Sequence, residues 1–370
     1  MKIAFVITEL LPGGAERCLV ELACFLKKSG HEVRVWQLWP EPPETKRHLT
    51  ERLVDAGVSV RHGNASRAHQ FPGTVIRLAK ELRQFAPDVV QSFLFHGNFA
   101  SALARPKSSR FFGGARVRQP ERLRQWLQRL AAKRMEKLIC VSDSVRQHCE
   151  ESEGIPAEQL AVIPNGIDID HLTQQASQPV DDKDVLNKHC RTLLFVGRLT
   201  EQKGVLPFAE QIDPLLNQLP EHQIVLIGEG DQKEQLVKRI QSCEHRDRVY
   251  VLGWKPAVAP WMLRAELIFL PASYEGMPNV ILEAMGLGKP FVSFEVDGIH
   301  QLLGPHADSS PQVAKTGDFA DFAQRIVQIA NDADRRMKLG RENQARIQEE
   351  FALENQLPKY LELYSSVARS

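Results

Sequence analysis

Short, mostly apolar runs alternate with longer amphipathic stretches along the whole chain. The runs fall at 3–7, 33–38, 87–93, 138–141 and 160–163, then at 193–196, 224–227, 249–252, 267–270 and 291–294. Runs of this length suit strands buried on both faces of a parallel sheet. The stretches between them have helical periodicity. The first predicts a helix from Ala15 to about Lys28, stopped by Gly30. Strand–helix alternation of this kind argues for parallel sheets covered by helices. From about Phe319 the pattern is helical, and residues 353–367 predict a final helix. The two halves share this logic without an internal repeat. At 370 residues the chain exceeds one ordinary core. After the turn Pro164-Asn165-Gly166, polar residues run to about Arg191, including Asp181-Asp182-Lys183-Asp184, and predict a linker. The expected organisation is 1–172, 173–352 and a terminal helix at 353–370.

Composition adds exclusions. With 43% apolar and 25% charged residues and a net charge of +1, no global field points to nucleic acid. The six cysteines include no C-x-x-C pair, which suits neither a zinc site nor a disulfide framework; reduced thiols and a cytoplasmic location are expected. The N-terminal apolar run is too short for a secretory signal, and no run approaches the ~18 residues that span a bilayer. Any membrane contact is expected to be peripheral.

The chemistry concentrates in residues 274–290, which hold two carboxylates, Glu275 and Glu283, with seven residues between them. Glu275 sits in a Gly/Pro-containing loop, and Glu283 about one turn inside a helix that Asn279 can cap. A helix amino terminus suits a phosphate. A carboxylate on its first turn can accept hydrogen bonds from vicinal hydroxyls, and the loop carboxylate can reach a further polyol. Diphosphate flanked by two hydroxylated rings is the shape of a nucleotide-sugar. A second loop, Gly197-Arg198-Leu199-Thr200-Glu201-Gln202-Lys203-Gly204, follows the first strand of the second half. It places a guanidinium and an ammonium at a sheet edge where open α/β folds bind ligands.

Glu275-x7-Glu283, with Gly276, Pro278, Asn279, Ala284-Met285 and Gly288-x-Pro290 around it, resembles the donor motif of glycosyltransferase family 4. Residues 197–204 resemble the same family's Gly-Arg-x-x-x-x-Lys-Gly segment. The resemblance covers nearly the whole chain. It implies an α/β protein of the GT-B fold: two Rossmann-like domains facing a central cleft, with the last helix crossing back to the N-terminal domain. The N-terminal domain would bind the acceptor and the C-terminal domain a nucleotide-diphosphate sugar, UDP- or GDP-linked, as co-substrate. It further implies retention of configuration, with Arg198 and Lys203 holding the diphosphate and stabilising the leaving phosphate in place of a metal. Glu275 would orient the sugar and Glu283 hold the ribose. Gly197, Gly276, Met277, Pro278 and Asn279 would line the donor, with no resident cofactor and no metal ligands. Polysaccharide or glycolipid synthesis in bacteria, with a carbohydrate or lipid-linked acceptor, is the expected role. Two rivals are a nucleotide-sugar 2-epimerase of the same fold and a catalytically silent GT-B binding module. An epimerase is expected to need further cleft acids. A silent module would be favoured by loss of Arg198, Lys203, Glu275 or Glu283, and all four are present.

Other features carry two readings each. The glycines of Pro12-Gly13-Gly14 let amides approach an anion or simply make a turn; the resemblance places Gly14 beside the donor. His96, among phenylalanines, reads by itself as structural; the resemblance implies instead that it is the cleft histidine contacting the donor sugar's primary hydroxyl. Ser142 and the Pro164-Asn165-Gly166 turn read as a cap and a hinge. Gly228-Glu229-Gly230 is a loop under the donor base or a plain βα turn. Where the family often has Gly-Gly-x-x-Glu, this chain has Asp297-Gly298-Ile299-His300-Gln301, which bears on sugar selectivity. Finally, residues 105–137 hold eleven basic and two acidic side chains, interleaved with Phe111, Phe112 and Trp126. A helix starting near Pro120 would carry Leu123, Trp126, Leu127 and Leu130 on one face. It either docks on its own domain, leaving the cations solvated, or faces an anionic membrane.

Overall fold

The computed structural model describes residues 1–118, 121–180 and 189–366 and divides into two compact units. The first comprises Met1–Gly166 together with residues from Glu354 onward; the second is Ile167–Leu353. The core of the expected linker, 181–188, lies outside the described residues, as do Pro120 and Val367.

The first unit is built on seven parallel strands: β1 (Lys2–Ile7), β2 (Glu32–Gln37), β3 (Ser59–His62), β4 (Val89–Ser92), β5 (Arg110–Ala115), β6 (Lys137–Cys140) and β7 (Leu160–Val162), in the order β3-β2-β1-β4-β5-β6-β7. Six helices follow successive strands: α1 (Gly14–Lys28), α2 (His48–Asp55), α3 (Phe71–Phe85), α4 (Leu94–Ala104), α5 (Arg122–Ala132) and α6 (Asp143–Glu151). Central β1 pairs with both β2 and β4 (Ile3 opposite Val33 and Val89), so its residues 3–7 are wholly buried. That burial is why the strand reads as an unbroken apolar run.

The second unit has six parallel strands: β8 (Arg191–Val196), β9 (His222–Ile227), β10 (Val249–Gly253), β11 (Leu267–Leu270), β12 (Phe291–Phe294) and β13 (Val313–Ala314), ordered β10-β9-β8-β11-β12-β13. Its helices are α7 (Ile169–Ala176), α8 (Val205–Ala209), α9 (Ile212–Gln218), α10 (Lys233–Gln241), α11 (Ala259–Arg264), α12 (Asn279–Gly286), α13 (Ile299–Leu303), α14 (Phe319–Ala330) and α15 (Ala333–Arg346). Phe208, Phe269, Phe294 and Phe322 form an aromatic cluster at its centre. Helix α7 occupies the start of the stretch expected to be linker, because Asp168 caps it through His171 N–H (2.9 Å) and Leu172 is buried.

The last helix, α16 (Leu353–Ser366), packs into the first unit. Tyr364 is fully buried against Phe112, with ring centroids 5.2 Å apart, and its hydroxyl donates to Gln91. The Arg116 guanidinium donates to the Tyr360 hydroxyl at 3.0 Å.

In each sheet the strand order reverses once, between β1 and β4 and between β8 and β11. Loops at such a reversal diverge and leave a crevice beyond the carboxyl ends of the strands, where doubly wound sheets hold ligands. Gly14 and His96 lie at helix starts beside the first reversal, and the Arg198–Lys203 and Glu275–Glu283 segments beside the second.

Candidate active site

In the second unit the loop after β8 and the loop after β11 are tied together. The backbone carbonyl of Gln202 accepts from Ser273 N–H (2.8 Å) and Ser273 Oγ (3.1 Å), and the Gln202 amide donates to the Tyr274 carbonyl (2.9 Å). The same side chain accepts from Arg198 Nη2 at 3.2 Å. Lys203 Nζ is paired with the Glu275 carboxylate, both side chains 13% exposed. Gly204 closes this loop at φ +65°, and a Cβ there would stand 2.1 Å from the Pro271 carbonyl oxygen. Only glycine meets both demands.

The segment Gly276-Met277-Pro278 is buried and leads directly into α12. Here one expectation is corrected. Asn279 is the first residue of the helix, and Pro278, extended at φ −75° and ψ 108°, occupies the capping position without a side-chain cap. Proline fixes φ and leaves no N–H to satisfy, so the helix begins at Asn279, one residue earlier than an asparagine cap would set it. Glu283 follows on the second turn, half-buried. The departure at 297–301 abuts this loop. Gly298 (φ +80°) has its Cα so close to Gly276 that a Cβ would meet the Gly276 carbonyl oxygen at 2.7 Å. Gln301 lies in the middle of α13 beyond it, and its backbone carbonyl accepts from Arg346 (3.3 Å). His300 stands between Glu295 (3.1 Å) and Asp308 (3.2 Å) on the surface.

In the first unit Gly14 opens α1 beyond β1, with extended Gly13 before it. His96 lies on the first turn of α4 beyond β4, its ring 5.2 Å from that of Phe95. Burial, then the nearby Arg124 guanidinium, hold its imidazole below the ordinary histidine value, so it is neutral at physiological pH. A neutral imidazole can donate or accept a hydrogen bond, which suits a hydroxyl. Ser142 caps α6 through Val145 N–H (3.3 Å), as expected. Asn165 does more than turn the chain: its carbonyl oxygen accepts from Arg116 (2.7 Å) and Cys18 Sγ (3.0 Å).

Arg116 is also a correction to the basic segment. It was expected as one of a set of solvated or membrane-facing cations, yet it is 9% exposed. It directly follows β5, a strand whose Gly113-Gly114 pair hid it from the apolar pattern. Within the same segment the structure decides which face of α5 is covered. Gln128, Ala131 and Ala132 are buried, while Leu123, Trp126 and Leu130 are 67%, 57% and 37% exposed. Sequence reasoning also missed Gln202, which no residue-type signal separates from any other loop glutamine.

Among the described residues, no group of three or more His, Cys, Asp or Glu side chains could hold a metal ion. Among the described residues, no helix is long and apolar enough to cross a membrane.

Each unit is a doubly wound parallel sheet, and the second carries cationic and carboxylate loops at its strand reversal. The family model for Glycosyltransferase Family 4 matches residues 12–171, and that for Glycosyl transferases group 1 matches residues 190–332. The chain belongs to glycosyltransferase family 4. It is 27% identical over 334 residues to a phosphatidyl-myo-inositol mannosyltransferase of Mycolicibacterium smegmatis, covering 87% of this chain and 82% of that one. It is 27% identical over 213 residues to an Escherichia coli UDP-Gal:alpha-D-GlcNAc-diphosphoundecaprenol alpha-1,3-galactosyltransferase, covering 56% of this chain and 54% of that one. Thus it matches about half the length of some curated relatives. The structure of Anabaena Alr3699/HepE in complex with UDP and glucose superposes with a TM-score of 0.85 at 19% identity, over 99% of this chain and 100% of that one. A glycosyltransferase from Rickettsia africae gives 0.80 at 18% identity, over 100% and 99%. The fold is therefore that of GT-B glycosyltransferases.

Proposed function

We infer that this chain is a retaining glycosyltransferase. It moves a hexose-type sugar from a nucleotide-diphosphate sugar, UDP- or GDP-linked, to a hydroxyl of a carbohydrate or lipid-linked acceptor in polysaccharide or glycolipid synthesis. The observation that carries this reading is the Arg198–Lys203 loop held by hydrogen bonds and an ion pair against the Glu275 loop at the amino end of α12. Cations and a helix amino terminus suit a diphosphate, and the adjoining carboxylates suit hydroxyls. The printed functions of the mannosyl- and galactosyltransferase relatives and the UDP and glucose bound to the Anabaena structure support the same chemistry.

In this mechanism the bond between the anomeric carbon and the β-phosphate oxygen breaks, and the acceptor oxygen bonds to that carbon on the same face. The acceptor proton passes to the departing phosphate. Arg198 and Lys203 offset the negative charge that grows on that phosphate, and do so without a metal. Glu275 orients both Lys203 and the sugar. Glu283 holds the ribose, with Gly197, Gly276, Met277, Pro278 and Asn279 forming the donor's wall. Gly14 and neutral His96 serve from the first unit. A role at the inner face of a cytoplasmic membrane is part of the same reading. All six cysteines are free, as in a reducing compartment, and α5 offers exposed Leu123, Trp126 and Leu130 beside Arg122, Arg129 and Lys133.

Thermal melting with UDP-, GDP- and dTDP-sugars tests the donor reading, since a ligand specific to the folded state raises the melting point by mass action. Stabilisation by at least one of them is expected. No shift with any nucleotide or nucleotide-sugar would overturn it.

A further inference from the structure

The backbone on both sides of Arg198 is gripped by the loop after β9. Gly197 N–H donates to the Ile227 carbonyl at 3.0 Å. Leu199 is held through both of its backbone groups. Its N–H donates to the Glu229 carbonyl (2.9 Å), and its carbonyl accepts from Gln232 N–H (3.0 Å). The Leu199 side chain is fully buried beneath. Two glycines let the loops come this close. A Cβ on Gly228 would stand 1.8 Å from the Gly197 carbonyl oxygen, and one on Gly230 would stand 2.1 Å from that of Leu199. The loop after β9 is in turn tied to the end of β10, where Gly228 N–H donates to the Gly253 carbonyl at 2.9 Å.

A plain βα turn does not account for Gly230. Turns select glycine for a positive φ, and Gly230 is not among the positive-φ glycines. What excludes a side chain there is the Leu199 carbonyl. That carbonyl is backbone and cannot rotate aside as a side chain would, so a Cβ would have to displace the Arg198 loop itself. The placement matters because Arg198 is exposed, and its side-chain tie to Gln202 is a single contact of 3.2 Å open to solvent. Such a tie leaves a long side chain free to wander. A donor to developing charge is effective when it stands in place beforehand, and a misplacement of ~1 Å can cost ~10²-fold in rate. Fixing the residues before and after Arg198 restricts where its guanidinium can reach.

We propose that Gly230 is a positioning residue for Arg198. Its missing Cβ lets the loop after β9 grip Leu199, and the grip sets Arg198 at the leaving phosphate before the donor arrives. This rests on the glycosyltransferase reading above and on the role given there to Arg198.

The test compares wild type, Gly230→Ala, Arg198→Ala and the double variant. Turnover is read as nucleotide release from whichever of UDP-glucose, UDP-galactose and GDP-mannose reacts fastest, and UDP affinity is read by calorimetry. Gly230→Ala should lower kcat by at least ~10-fold while UDP affinity falls less than about threefold. In the Arg198→Ala background the same change should lower kcat no more than about twofold, because the group it misplaces is already gone. Gly340→Ala on α15 is the structural control: its Cβ would meet the Gly288 carbonyl oxygen at 2.2 Å. It should lower the melting temperature and keep kcat within about twofold of its parent in both backgrounds. Hydrogen exchange on wild type keeps the test decisive even where Gly230→Ala does not fold. Without ligand, the Leu199 and Gln232 amides should exchange at least ~100-fold more slowly than in an unstructured peptide, and UDP should change this little. The inference is overturned if Gly230→Ala keeps kcat within about twofold of wild type, if it costs the same in both backgrounds, or if the two amides exchange freely until UDP is added. Full turnover in Arg198→Ala would overturn the leaving-group reading and this inference with it; the other outcomes overturn the inference alone.

Discussion

Lys203 and Glu275 form an ion pair that joins the loop after β8 to the loop after β11, with both side chains only 13% exposed. Each charge compensates the other in a partly dry setting. Replacing either alone by alanine leaves an unpaired, mostly buried charge, which costs on the order of 3 kcal/mol. Replacing both removes the charge problem along with the pair. Denaturant or thermal melts of Lys203→Ala, Glu275→Ala and the double variant should therefore show strong non-additivity, with the double variant losing much less stability than the sum of the two single losses. Additive losses would mean that the two side chains do not depend on each other.

Arg198 and Gln202 make a different kind of contact, at 3.2 Å and open to solvent. Arg198→Ala should lower turnover by ~10²–10³, the usual cost of losing one donor to developing charge. Gln202 acts through Arg198 and the Tyr274 carbonyl. Gln202→Leu should therefore lower kcat by up to about 10²-fold through misplacement, with UDP affinity nearly unchanged. Nucleotide release from the stabilising nucleotide-sugar, together with calorimetry of UDP binding, measures both. Full turnover in Arg198→Ala would remove the arginine from the leaving-group site.

Activity should survive a chelator. If Arg198, Lys203 and the amino end of α12 carry the diphosphate, excess EDTA should change the rate less than about twofold, since these fixed charges already supply the transition-state stabilisation a cation would bring. An absolute requirement for Mg²⁺ or Mn²⁺ would show that the donor is held differently.

What the sequence revealed, and what it hid, follows from how each residue is buried. Central strands such as β1 and β11 are covered on both faces, so their apolar runs announced them. Strand β5 is just as central, but Gly113-Gly114 and the flanking cations disguised it. Strands β3 and β13, at the sheet edges, are short and partly exposed, with too little apolar pattern to read. On the donor side, Arg198, Lys203 and Glu275 were legible because they sit in glycine-containing loops of fixed spacing, and Glu283 because it follows Glu275 at a fixed interval on α12. The grip on Leu199 was not: backbone groups of two separate loops make it, and only folding brings them together. The two readings of α5 were equally compatible with its periodicity, because an amphipathic helix looks the same whether its apolar face is covered or bare.

Glu153 should make the protein less stable as pH rises. Burial pushes its carboxyl up to about 7, only partly opposed by a hydrogen bond with Cys149, and His148 lies 3.8 Å away. A carboxyl with a raised pKa keeps its proton longer in the folded state. Its favourable contribution is complete below about 4.5 and declines as pH rises to about 7, since the unfolded chain ionises first. Across that window the difference is ~3 kcal/mol. Glu153→Gln should thus match wild type near pH 4 and exceed it at pH 8, read as the difference in melting temperature between the two proteins at each pH. A constant difference across the range would mean that Glu153 does not titrate in that window.

The outward face of α5 should bind an anionic membrane. Leu123, Trp126 and Leu130 lie on the exposed side of the helix, with exposed Arg122, Arg129 and Lys133 among them. An interfacial helix combines these elements: an aromatic and aliphatic face to enter the headgroup boundary, and cations to meet anionic lipid. Each cation near such a surface contributes about 1 kcal/mol, and the apolar side chains add to that, so reversible docking is expected rather than permanent anchoring. Sedimentation with phosphatidylglycerol-containing vesicles should carry the protein down at low salt, and neutral phosphatidylcholine vesicles should not. Raising salt should weaken the binding, as exposed charges are screened beyond ~8 Å at physiological ionic strength. Two variants separate the contributions. Arg122→Glu/Arg129→Glu/Lys133→Glu should stay in the supernatant at every salt concentration. Trp126→Ala should bind more weakly while keeping its melting temperature, because the ring is 57% exposed and contributes little to the fold. A large drop in melting temperature for Trp126→Ala would show that the ring is packed in solution. Equal binding by the charge-reversed variant and wild type, or none by either, would leave α5 as ordinary domain surface.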